Sequence, residues 1–165
     1  MAFEVSAAGW IDLPAGAARS GELVRVEERL AAVAAAAVLT AGADDLVVAL
    51  ARVDRSAARR ARDGRDHLPE LREFPVGSWV VDPTDGPLAD VLAALDACAA
   101  ADRASGGTAA LVPAVVDVVL PALAEGYRSR RAVASPVAEP STRVFLDGAA
   151  RSVLEDRERL AALRF

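Results

Sequence analysis

Between Val118 and Leu160 the chain reads VVLPALAEGYRSRRAVASPVAEPSTRVFLDGAARSVLEDRERL, two patterns of helical period joined by a short Pro-rich connector. Acids, arginines and the only tyrosine lie at helical spacing on both halves. The apolar content suits the same architecture: hydrophobic residues make up 53% of the sequence but aromatics only 4%, so Ala, Leu and Val dominate and favour helices packed closely through small side chains. At 165 residues the chain has the size of one compact domain. The expectation is an all-α fold.

The other helices follow from periodicity and end signals. Residues 1–20 mix Gly, Pro and Ser with isolated apolar residues and read as an irregular arm anchored by Trp10, leaving 21–165 as the helical domain. Ser20 caps a first helix, with Leu23, Val26, Leu30, Val33 and Ala37 on its stripe, ending near Gly42. A second runs from Asp44 or Asp45 through Leu46, Leu50, Val53 and Ala57 to about Arg62, where Gly64 and Pro69 weaken continuation. Asp66 to Leu71 is a last turn or a separate short helix, and Phe74 to Gly86 a long loop whose Trp79-Val80-Val81 packs as a lid or crossover. Pro87 opens a helix over Leu88 to Arg103. Thr108 caps another to Ala132, bent before Pro121, and Ser141 or Thr142 starts the last, to Leu163.

Composition excludes several functions. With no lysine, Schiff-base catalysis and a Walker P-loop are ruled out. A net charge of −5 argues against an electrostatic nucleic-acid binder, and the cluster Arg59, Arg60, Arg62 and Arg65, interrupted by Asp63 and Asp66, reads as a solvated face. A lone Cys98 forms no internal disulfide. The first twenty residues lack a targeting pattern, and Asp44 and Asp45 interrupt the one long Ala-rich run, so a cytoplasmic protein with no membrane partner is expected.

Helix geometry aims several polar side chains inward. Asp156 shares a face with Val153, Leu160 and Leu163, and Arg159 lies one turn on, within reach of it. Glu27 sits between Leu23 and Leu30, Glu28 is further toward solvent, and Asp54 flanks the stripe of the second helix. Arg130 is expected to pair with Glu125 or a facing acid. His67, beside Asp66 and Glu70, reads as a surface histidine.

These residues carry a resemblance. Leu120-Pro121-Ala122-Leu123, Tyr127-Arg128-Ser129-Arg130, Glu139-Pro140-Ser141-Thr142-Arg143-Val144 and Leu154 to Leu160 are similar to the third and fourth helices of the ferritin-like superfamily, in the branch around bacterial tRNA hydroxylases and related ferritin-like proteins. The resemblance spans about a quarter of the chain and implies an all-α, ferritin-like four-helix bundle with an additional crossover helix. It departs where chemistry is concerned. Relatives tend to carry Tyr-x-x-His where this chain has Arg130, and Asp-Glu-x-x-His where positions 155–159 read Glu-Asp-Arg-Glu-Arg. A guanidinium stays protonated and cannot coordinate a metal. His67, the only histidine, cannot supply the two that a di-iron site takes.

The expectation is therefore a metal-free, cofactor-free bundle whose interior binds, and in one version transforms, a small organic molecule. Asp156, Arg159 and Tyr127 would do any acid–base work, with Arg130, Glu27, Asp54 and Glu125 as ligand-binding groups. The alternatives are a scaffold that homodimerises through an exposed apolar face and, less favoured, a di-iron oxygenase or ferroxidase.

Overall fold

The computed structural model describes residues 13–69, 75–105, 108 and 110–163, so Trp10 and most of the N-terminal arm lie outside the described residues. All regular secondary structure among the described residues is helical. Helix α1 covers Leu13–Val38, α2 Asp44–Asp66, a 3-10 turn Val76–Trp79, and α3 Gly86–Ser105. Next come α4 at Leu111–Ala114, a π-helical segment at Val115–Val119, α5 at Leu120–Val133, and α6 at Pro140–Ala161. No helix among the described residues is long and apolar enough to cross a membrane.

The first helix starts seven residues before the Ser20 expected to cap it. Pro14 falls in its first turn, where a missing N–H costs nothing, and the Ser20 hydroxyl instead donates to the Gly16 carbonyl one turn back at 2.9 Å. That helix also ends at Val38, and Leu39 to Ala41 turn through bonds to Ala36 and Ala37 rather than through a left-handed Gly42. Helix α2 runs past Arg62 to Asp66 because Gly64 works as a contact residue: a Cβ there would stand 2.8 Å from Val24 Cγ2 of α1. The position of Gly64 does not break the helix. Its interior role is the close approach of two helices.

Helices α1 and α2 form one antiparallel pair and α5 and α6 the other. Along α1, Ser20 meets Arg130 and Glu27 meets Tyr127, so α5 also runs opposite to α1 and therefore parallel to α2. A parallel pair needs a connection that returns the length of the bundle, and residues 67–110 supply it. Ion pairs Arg25–Asp82 and Arg29–Asp96 hold this crossover to α1. Trp79 is buried against Ala17 and Leu68, and its Nε1 donates to the Pro69 carbonyl at 2.9 Å.

The expected bend before Pro121 takes the form of the π segment. In π register the Leu120 N–H reaches the Val115 carbonyl, five residues back. The next donor in that register would be residue 121, a proline with no N–H, and its acceptor would be the Val116 carbonyl. Arg157 of α6 fills the gap, donating from Nε to that oxygen at 3.0 Å.

Two glycines set a stability test. A Cβ on Gly21 would lie 1.7 Å from the Trp79 carbonyl, a backbone atom, whereas one on the exposed helical Gly148 meets nothing within 4 Å. Gly21→Ala should destabilise the fold by about 1–3 kcal/mol or more, and Gly148→Ala should stabilise it by about 0.5–1 kcal/mol. Urea midpoints that moved in the opposite order would contradict this packing.

Candidate functional site

The polar centre of the bundle is one arginine between two carboxylates. Arg60 follows Leu50, Val53 and Ala57 at the spacing of the apolar stripe of α2, so the helix delivers it to the interior. There its Nε donates to Glu27 Oε1 at 2.7 Å and its Nη2 to Glu27 Oε2 at 3.0 Å, a two-pronged contact. The remaining Nη1 donates to Asp156 Oδ2 at 2.8 Å and to the Ser152 hydroxyl at 3.0 Å. Arg60 is 3% exposed, Glu27 0% and Asp156 2%, so three formal charges are out of water together.

Three hydroxyls complete the network. Tyr127 donates to Glu27 Oε1 at 3.0 Å, Ser56 to Asp156 Oδ2 at 2.8 Å, and Ser152 accepts from Arg60. Among the described residues no buried side-chain nitrogen or oxygen lacks a partner. One cation faces two anions, which leaves the cluster one negative charge in excess. Complete burial pushes the Glu27 carboxyl above the ordinary carboxylate range; Arg60 and Tyr127 pull it back, and the Asp156 charge adds to the rise. Burial works against the Arg60 charge, but Glu27 and Asp156 outweigh it and hold the guanidinium more basic than usual. Burial, followed by the Glu27 charge, keeps the Tyr127 hydroxyl protonated well above its usual range.

The expected residues divide between this cluster and other places. Glu27, Tyr127 and Asp156 meet at Arg60. Arg159 stands at the rim, 3.5 Å from Asp156 Oδ1 and 3.3 Å from Glu155, so its pairing with Asp156 is secondary to that of Arg60. Arg130 lies apart and pairs with Glu139, not Glu125, while its Nε donates to the Gly16 carbonyl and the Ser20 hydroxyl at 3.0 Å each. It fastens the start of α1 to the α5–α6 turn. Glu125 is exposed beside Arg128 and Ser129, and Asp54 is half-buried on α2 outside the cluster. His67 is half-buried, with one face stacked on Phe145 at 4.8 Å.

Arg60 is buried, contrary to the expectation that it belongs to a solvated arginine face. That reading fits its neighbours Arg59 and Arg62, which are exposed, and Arg65, which pairs with Glu28. The signal was the spacing of Arg60 from Val53 and Ala57, at offsets of seven and three.

Space is distributed unevenly around the cluster. The gap beside Tyr127, walled by Leu23, His67 and Phe145, holds only about 10 Å³, at the limit for a single water. Asp156 and Arg159 instead border a groove of about 410 Å³ between α2 and α6, floored by Val48, Val53 and Leu160 and flanked by Arg52. Among the described residues no group of three or more His, Cys, Asp or Glu side chains converges as a metal cradle. Comparison with family models, curated proteins and solved structures gives no match to this chain.

The Glu27 shift has a signed consequence. Because the folded pKa lies above the reference value of 4.5, the native state binds this proton more tightly than the unfolded chain does. Its contribution to stability is complete below that value and is lost as pH rises through the folded pKa. The stability of the wild type relative to Glu27→Gln should therefore fall as pH rises above about 4.5, measured by urea denaturation from pH 4 to 7. A difference that grows with pH would reverse the assignment.

Proposed function

We propose that the protein is a metal-free, ferritin-like bundle that binds a small organic acid in the groove between α2 and α6. The architecture that supports the reading is two antiparallel helix pairs joined by one long crossover, with carboxylates aimed inward from α1 and α6. The observation that carries it is the Arg60 guanidinium lying between Glu27 and Asp156, where a carboxylate bundle of that superfamily would hold metal. The donors present do not fit a di-iron centre. Two carboxylates and a protonated tyrosine surround a permanent cation, and His67 stacks on Phe145.

The filled interior directs binding outward. Tyr127 is sealed and cannot touch a ligand in the groove, so the charged groups offered there are Arg159, Arg52, Asp45 and the edge of Asp156. Two guanidinium groups over an apolar floor suit a carboxylate attached to a hydrocarbon body. Glu155 and Asp156 already draw on Arg159, while Arg52 has no ion-pair partner among the described residues and is the stronger attraction for an anion.

Calorimetric titration with 4-phenylbutyrate tests the reading. Saturable binding is expected, weakened about tenfold or more in an Arg52→Ala/Arg159→Ala double variant, with 4-phenylbutanol failing to compete. Both arginines are solvent-exposed, so the variant should fold normally. Equal binding by the double variant, or none by the wild type, would defeat the proposal.

A further inference from the structure

We infer that the end of the bundle where α1 turns into α2 carries a second binding site, for a neutral, mostly apolar small molecule with one hydrogen-bonding group. The inference does not rest on the groove. A separate cavity of about 520 Å³ opens between the α1–α2 turn, the start of α4, the π segment and the end of α6. That volume falls within the range of about 300–1,000 Å³ typical of small-molecule sites. Its walls are chiefly aliphatic: Leu46, Val112, Pro113, Val116 and Leu160.

Thr108 gives this cavity its chemistry. It is 7% exposed and lines the space, yet its hydroxyl has no hydrogen-bond partner among the described residues, unlike the polar atoms of the ion cluster. Because no buried side-chain oxygen among the described residues lacks a partner, this unbonded hydroxyl belongs to the small part of Thr108 that stays accessible, where a molecule in the cavity can reach it. Thr40, across the cavity, already donates to the Ala37 carbonyl at 3.2 Å. The charge at the mouth is Asp117, which disfavours an anion and separates this site from the arginine-flanked groove.

The backbone supports the same assignment. Val116 and Asp117 belong to the π segment, and π segments within helices often accompany functional sites. Arg157 pins that wall through the Val116 carbonyl without entering the cavity lining. The ligand class that satisfies these constraints is an alcohol or ketone on a hydrocarbon or aryl body.

The neutral fluorophore N-phenyl-1-naphthylamine reads occupancy directly. Its emission should rise saturably with the wild-type protein and be displaced by 4-phenylbutanol but not by 4-phenylbutyrate. Ala161→Trp places bulk at an exposed lining residue at the end of α6 and should weaken probe binding about tenfold or more. Thr108→Val, which keeps the shape and removes the hydroxyl, should weaken the alcohol about three- to tenfold and leave butylbenzene unchanged. Circular dichroism and melting temperature verify that both variants fold. Absence of saturable emission, or unchanged probe affinity in Ala161→Trp, would overturn the inference; equal losses of alcohol and hydrocarbon in Thr108→Val would overturn the role of the hydroxyl. Loss of alcohol binding with retained 4-phenylbutyrate binding separates failure at this site from failure at the groove.

Discussion

The bundle depends on a single guanidinium shared by two buried carboxylates. Glu27 from α1 and Asp156 from α6 would each be very costly to bury alone, and Arg60 from α2 answers both with a planar fork of donors that a lysine could not supply. Tyr127 from α5 takes the last approach to Glu27. Helices α1, α2, α5 and α6 thus all contribute to a common centre, and the apolar layers above and below it consist of residues such as Leu30, Leu50, Leu123 and Val153. A buried cluster of this kind adds little net stability over an apolar core, but it specifies one register of the helices, because a slip strands a charge.

Other features serve to hold that register. Arg130, one turn beyond Tyr127 on α5, clamps the first turns of α1 to the α5–α6 turn through Gly16, Ser20 and Glu139. At the opposite end the π segment allows for Pro121 by shifting the hydrogen-bond register, and Arg157 ties the orphaned carbonyl to α6. The close approach of α1 to α2 relies on Gly64, and that of α1 to the 3-10 turn on Gly21. The same organisation explains where open space lies. The interior is occupied by its own charges, so open volume appears at the flank of Asp156 and at the end of the bundle.

Much of the helix plan was legible because it rests on local signals. Asp44 and Asp45 at the start of α2 and Pro87 in the first turn of α3 place the starts of those helices closely, whereas periodic Leu and Val show α1 but not its first turns, which begin seven residues before Ser20. The inward aim of Glu27 and Asp156 followed from their neighbours at offsets of three and four. What could not be read was partnership. Arg60 lies in a run of arginines whose charge suggests solvent, and only the carboxylates of two distant helices, 33 and 96 residues away in sequence, make its burial favourable. Of the two partners open to Arg130, Glu125 or a facing acid, it takes the facing acid Glu139, which the turn between α5 and α6 folds back and which sequence spacing alone does not single out. Gly64 misled for a related reason, since a helix-breaking residue and a helix-contact residue look alike until the neighbouring helix is in place.

If the shared guanidinium is the pivot, the cost of removing it must come from the carboxylates left behind and not from lost packing alone. Urea denaturation of Arg60→Leu, compared with the triple variant Glu27→Leu/Arg60→Leu/Asp156→Leu, separates the two at pH 7. The single substitution should cost about 3–5 kcal/mol, and the triple variant should recover most of that loss. A single variant within about 1 kcal/mol of wild type, or a triple variant no more stable than the single, would contradict it.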